Sequence, residues 1–138
     1  MNKLAKEQEL QQKYMHLQVL EQQIKQLQNQ LQQTEQQTME LMITLQALDD
    51  IKQIEEGTEI LVPLASGIFA KAEIMDNNEL MLNVGAGTAV KKDIESTKKM
   101  LEKQMEEIRN VQVQFTDTLQ GLEQKAQGIQ QELTKLMS

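Results

Sequence analysis

The sequence predicts a mixed, mainly α fold: a long antiparallel α-helical coiled-coil hairpin with two β-hairpins inserted at one end. Three observations lead there. Apolar residues recur in heptads at both ends of the 138-residue chain, and Gly57, Pro63, Gly67, Gly85 and Gly87 all fall in one central stretch. Aromatic residues make up only 2% of the chain, with two Phe, one Tyr and no Trp, whereas Gln occurs 23 times, 15 of them before Gly57. Aromatic side chains supply much of the buried area of compact domains. Their near absence, with a mean hydropathy of −0.52, points to long solvated helices.

The first element spans residues 1–56, which contain neither Gly nor Pro. With Leu10 at position a, the a residues are Leu10, Leu17, Ile24, Leu31, Thr38 and Leu45, and the d residues are Lys13, Leu20, Leu27, Thr34, Leu41 and Leu48. Nine of these twelve are apolar, the pattern of a coiled-coil seam. Gln fills the intervening positions as an uncharged helix face, for which its propensity is adequate. Gly57 stands where a left-handed residue would end this helix.

The last element spans residues 93–138. Ile94, Leu101, Ile108, Phe115, Leu122, Ile129 and Leu136 recur every seventh residue; taken as d, they place Lys98, Met105, Gln112, Leu119, Ala126 and Leu133 at a. Asp93 can cap the helix start, with Glu95 favourably set against the dipole. Two helices of about 45 residues make rods of roughly 65–70 Å, and the short insert folds one back on the other. One fold-back serves both seams, opposing Leu10 with Leu133, Leu27 with Phe115, Leu48 with Ile94 and Leu45 with Lys98. The polar seam residues Thr34, Thr38, Gln112 and Lys98 then face apolar partners, at a cost in stability that can fix register. A parallel intermolecular dimer of each helix is the rival arrangement, which the insert makes awkward.

Residues 57–92 read as four short strands. Ile60, Val62 and Leu64 alternate onto one face, and Ser66-Gly67 makes a two-residue turn. Ile68, Ala70, Ala72 and Ile74 then share a face opposite Phe69, Lys71 and Glu73. After the loop Asp76-Asn77-Asn78, Leu80, Leu82 and Val84 alternate, Gly85-Ala86-Gly87 turns the chain, and Val90 points inward. Two isolated hairpins are marginal in water and carry unpaired edges. About 36 residues cannot build an adequate core of their own. Pairing with hairpins of other chains is therefore expected, through Ile60, Val62, Leu64, Ile68, Ala70, Ile74, Leu80, Leu82, Val84 and Val90. Met39, Met42, Ile43, Ile51 and Met100, off the seam, are expected to pack beneath this sheet.

The composition excludes several function classes. Without Cys there is neither a disulfide framework nor a thiolate metal site. A net charge of −7 and an isoelectric point near 4.8 argue against nucleic acid or an anionic membrane as partner. No apolar run is long enough to span a bilayer, and MNKLAKEQEL lacks the apolar core of a signal peptide, so a cytoplasmic location is expected. His16, the one histidine, falls on a helix flank and reads as a solvated residue. The carboxylates lie along exposed helical faces, and Gly85-Ala86-Gly87 lacks the third glycine and following helix of a dinucleotide-binding fingerprint. No enzyme, no cofactor and no metal are expected.

Apolar residues off the seam near the chain ends, Leu4, Tyr14, Met15, Val19 and Met137, join the incompletely covered seam residues Leu10, Leu133 and Leu136. Two readings stand side by side: frayed ends with ordinary exposed apolar groups, or an adaptable apolar surface for varied clients.

The pattern of helix, LVPLASGIFAKAEI, short loop, LMLNVGAGTAVKKDIE and matching helix resembles the alpha subunits of archaeal prefoldin over nearly the whole chain. Leu61-Val62-Pro63-Leu64, Ser66-Gly67, Lys71-Ala72-Glu73 and Asn83-Val84-Gly85-Ala86-Gly87 with Lys91-Lys92 carry the resemblance; two hairpins rather than one mark the alpha class. The resemblance implies a single subunit of residues 1–138 in a hexamer of two alpha and four beta subunits, with the hairpins in a β-barrel body. It implies an ATP-independent chaperone that holds unfolded proteins at coiled-coil tips and passes them to a group II chaperonin. The eight residues near the chain ends occupy the matching client-binding region. A structural coiled-coil adaptor for one defined partner, or a gamma-type homo-oligomer or filament, is the alternative.

Overall fold

The computed structural model describes residues 2–138. Helix α1 covers Lys3–Gln53, strands β1 to β4 cover Glu59–Ala65, Ile68–Glu73, Glu79–Asn83 and Ala89–Asp93, and helix α2 covers Ile94–Met137. The residues divide into two compact units, one of the chain up to Gln37 with Glu107–Ser138, the other of Thr38–Glu106.

In each unit the helices bury the heptad faces. Every a and d position read from the sequence is buried or half-buried, and Leu20, Leu27, Leu48, Ile94, Met105 and Leu133 form the buried apolar set. The partial cover of most seam positions is what a two-helix seam provides, since only one partner shields each residue. Asn2 begins α1: its Oδ1 accepts the Leu4 N–H at 3.1 Å. Asp93 caps α2 as expected, with Oδ1 accepting the Ser96 N–H at 2.6 Å. That bond holds the Asp93 carboxyl below its usual range.

The polar seam residues find partners that the heptad does not show. Thr34 turns its hydroxyl back on the Leu31 carbonyl at 2.6 Å, a helix-internal bond that satisfies it. Lys98 does not leave its charge against Leu45: its Nζ reaches Asp49 Oδ1 at 2.6 Å, and this bond raises its pKa. Beside it Lys52 pairs with Glu95. Residues rising along α1, Asp49 and Lys52, meet residues falling along α2, Lys98 and Glu95, so the helices of this unit run antiparallel.

The hairpins form two separate two-stranded sheets, β1 with β2 and β3 with β4. In the first, Glu59 opposes Glu73, Ile60 opposes Ala72 and Pro63 opposes Phe69, but the register then slips so that Ala65 opposes Ile68. Leu64 is thus the unpaired extra residue of a bulge and does not continue the Ile60–Val62 alternation. In the second sheet Leu80 and Leu82 oppose Lys92 and Val90, the expected face. Gly57 does adopt positive φ, 85°, yet α1 ends four residues earlier. The glycine instead completes a tight turn in which the Thr58 N–H reaches the Glu55 carbonyl at 3.2 Å, a position requiring φ > 0. Two further bonds fasten the hairpins to the helices. Asn77 Nδ2 donates to the Ile54 carbonyl at 3.0 Å, and the Ile94 N–H donates to the Asn78 carbonyl at 2.9 Å.

Met39, Met42 and Ile43 are exposed, against the expectation that they pack beneath the sheet. Each two-stranded hairpin is too narrow to cover a helix flank as well as its own face. Ile51 and Met100 are half-buried.

Candidate functional site

Most of the exposed large apolar side chains gather in two places, one in each unit, while Met39, Met42, Ile43, Val111 and Val113 lie on the helices outside both.

The first lies where α1 begins and α2 ends. With one residue per 100° or so of helix, Leu4, Met15 and Val19 fall within about 60° of one another, on the side of α1 opposite its seam. All three are at least half exposed, and so is Met137. Tyr14 stands between this stripe and the seam, and its hydroxyl donates to Met137 Sδ at 3.4 Å, joining the two helices with a weak bond. Leu10 and Leu136 are half-buried. Leu133 is only 4% exposed, so the incomplete cover expected of it does not hold: it fills the seam and leaves contact with any ligand to its neighbours. Val111 and Val113, also exposed in this unit, were missed by the sequence reading, although their off-heptad apolar character was the available signal.

A clasp holds this region. Lys13, which breaks the apolar heptad, extends its Nζ to Glu132 Oε2 at 2.5 Å and lies 3.9 Å from Glu9 Oε1. The Glu132 hydrogen bond raises the Lys13 pKa, and the same bond lowers that of Glu132. The raised lysine stabilises the clasp below its ordinary value of 10.5, and that contribution is lost as pH rises past the raised one. The lowered carboxylate stabilises it above the ordinary 4.5, with loss as pH falls through the lowered value. Tyr14 is the one tyrosine and Trp is absent, so tyrosine fluorescence reports this region alone. Glu132→Gln is expected to lower the Tyr14 anisotropy at pH 7, and the parent protein is expected to approach the variant as pH falls through the lowered Glu132 value. Equal anisotropy at pH 7 would show that the pair holds nothing.

The second place is the hairpin pair. Val62, Leu64, Ile68, Val84 and Val90 are exposed, while Ile60, Ala70, Ile74, Leu80 and Leu82 are half-buried. The opposite faces are apolar too: Leu61, Phe69 and Met81 are each more than half exposed, and Met75 is 89% exposed. Strand alternation alone hid these four, because it assigns them to the side of Lys71, Glu73 and Lys91. Lys71 lies 3.9 Å from Glu59 and Lys91 lies 3.5 Å from Glu79, both on the surface where such pairs contribute little. A sheet apolar on both faces and open at every edge is built to be covered.

His16 is exposed. Among the described residues no group of three His, Cys, Asp or Glu could hold a metal ion, and no helix is long and apolar enough to cross a membrane.

A family model described as Prefoldin subunit matches residues 20–137. The chain is 28% identical over 130 residues to prefoldin subunit alpha of Archaeoglobus fulgidus, covering 94% of this chain and 95% of that one. It is 35% identical over 100 residues to prefoldin subunit alpha of Pyrococcus horikoshii, covering 67% and 68%. A filamentous PFD from Methanocaldococcus jannaschii, solved by cryo-EM, has a similar fold: TM-score 0.73 at 18% identity, covering 84% of this chain and 96% of that one.

Proposed function

The chain belongs to the prefoldin family, and from that premise we propose that it is the alpha-type subunit of an ATP-independent holding chaperone. The observation that supports this reading best is the gathering of most of the exposed apolar surface in two places, each in a separate unit. The hairpins, apolar on both faces and unpaired at their edges, suit assembly with beta-type subunits in a hexamer of two alpha and four beta chains. Ile60, Val62, Leu64, Ile68, Ala70, Ile74, Leu80, Leu82, Val84 and Val90 serve that assembly, joined by Leu61, Phe69 and Met81. Leu4, Tyr14, Met15, Val19 and Met137, with Leu10 and Leu136 beside them, suit unfolded clients. Met and Leu adapt to irregular apolar surfaces, and an exposed stripe fits a flexible chain better than a defined ligand.

Each subunit offers a modest contact. Several subunits gripping one client raise the effective concentration of the rest, so weak contacts become useful holding. Low affinity per contact also allows release, to a group II chaperonin in the cytoplasm, without nucleotide hydrolysis. Neither a cofactor nor a metal is required, and neither nucleic acid nor membrane is a partner.

The chain co-expressed with a beta-type subunit should suppress the aggregation of several unrelated, chemically denatured proteins without ATP. Saturable binding to one native partner, with no effect on denatured proteins, would instead identify a coiled-coil adaptor.

A further inference from the structure

The sulfur of this chain is all thioether, since the sequence has nine Met and no Cys. Oxidation of a thioether follows access to its sulfur, and the fold sorts the methionines sharply. Met105 is buried in the seam and Met100 is half-buried. Met75 and Met81 are exposed on the hairpins, the surface that assembly would cover. Met39 and Met42 are exposed on α1, in the same unit as the hairpins. Met15 and Met137, 61% and 67% exposed, stand in the other unit within the apolar stripe. Met15 lies between Leu4 and Val19 on the side of α1 away from the seam, so a change at its sulfur leaves the seam untouched. Met137 accepts the Tyr14 O–H on its Sδ at 3.4 Å, a weak bond because a thioether sulfur is a poor acceptor.

We propose that Met15 and Met137 are modification sites at which a peroxide turns the client stripe from apolar to polar, and that a thiol-dependent reductase restores it. This deepens the client role proposed for the stripe and rests on that role. In the forward step a lone pair of the thioether sulfur attacks one peroxide oxygen. The O–O bond breaks, the S–O bond forms, sulfur gives up two electrons, and the second oxygen leaves as water with both protons. In the return step two thiols become one disulfide and the sulfoxide oxygen leaves as water.

Each sulfoxide sets a strong dipole and acceptor in place of an adaptable apolar side chain. A client that covers it must bury a polar group without a partner, which costs free energy. At Met137 the new oxygen is also a better acceptor for the Tyr14 hydroxyl than the sulfur was, so Tyr14 is held more firmly across the two helices. Burial of Met105 spares the seam, and the surface changes while the coiled coil persists.

The test treats the chain, assembled with beta-type subunits, with dilute hydrogen peroxide and maps its peptides by mass spectrometry. Met15 and Met137 should each gain an oxygen well before Met100 and Met105, with the circular dichroism unchanged. Client holding is then compared with two variant complexes built on the same beta-type subunits. Each complex is read relative to its own untreated value, so oxidation of those subunits is common to all. With each sulfoxide weakening its contact roughly threefold, peroxide should weaken client binding about tenfold more in the parent than in Met15→Leu with Met137→Leu. Met39→Leu with Met42→Leu should lose as much as the parent, and a methionine sulfoxide reductase with thiol should restore the parent. Equal losses in the parent and the Met15→Leu, Met137→Leu complex would overturn the proposal, as would protection by Met39→Leu with Met42→Leu. In the full chain by itself, where Tyr14 is the one tyrosine, peroxide should raise the tyrosine anisotropy and Met137→Leu should remove the rise. Absence of the rise would overturn the assignment at Met137. An untreated complex that holds no client would refute the chaperone reading, while the peptide map and the Tyr14 rise would still decide the two sites.

Discussion

Ile94→Ala is expected to destabilise the chain by about 3 kcal/mol in urea unfolding, with the slope unchanged. Ile94 is 0% exposed and is the one fully buried large side chain among the described residues, in a protein whose seam otherwise gives partial cover. It occupies the first heptad position of α2, directly after β4 and the Asp93 cap. Its N–H also carries the bond to Asn78 at the start of the second hairpin. Removing the side chain opens a void at the most completely covered position of the seam. Deleting buried methyl and methylene groups costs the transfer term plus the cavity, about 2–5 kcal/mol for Ile to Ala. Val113→Ala, on an exposed position, should cost less than about 0.5 kcal/mol. A cost below about 1 kcal/mol for Ile94→Ala would mean that the seam is not closed at this layer.

The helical seam was legible in the sequence, because a seven-residue apolar repeat has one solution and every position it named is covered, whereas the end of α1 at Gln53 was not. The hairpins were legible as to turns and strands, but not as to the bulge. A period of two cannot show where one extra residue enters, and only the opposed strand reveals that Leu64 has no mate. The clasp of Lys13 with Glu132 and the pairing of Lys98 with Asp49 escaped for a related reason. The heptad says which residues face the seam, while long charged side chains leave it for partners beyond its edge. At the candidate sites, exposure of Leu4, Met15 and Val19 followed from their off-seam positions, whereas the cover over Leu133 depended on how closely α2 packs there. Met39, Met42 and Ile43 were misjudged because sequence gives no measure of how much surface a two-stranded hairpin can shade. Phe69 and Met81 lay hidden among charged neighbours, and their exposure makes both hairpin faces apolar.

The largest functional effect is expected where the apolar stripe is removed. Replacing Leu4, Tyr14, Met15, Val19 or Met137 singly by Ser should weaken client holding only a few-fold, since each is one contact among many arms. Losing them together multiplies those losses, because avidity falls with every contact removed, and this subunit's share of the holding should disappear. Assembly should not change, as the hairpins belong to the other compact unit. The most direct measurement is therefore made on the chain lacking residues 1–15 and 129–138 and carrying Val19→Ser, assembled with beta-type subunits. Its mass by native mass spectrometry and its suppression of denatured-client aggregation are read on one preparation. The expected result is full assembly, at the mass of the intact complex less the deleted residues, with holding reduced to what the beta-type subunits supply alone. Full holding by the shortened chains, or failure of the complex to form, would contradict the assignment of clients to one unit and assembly to the other.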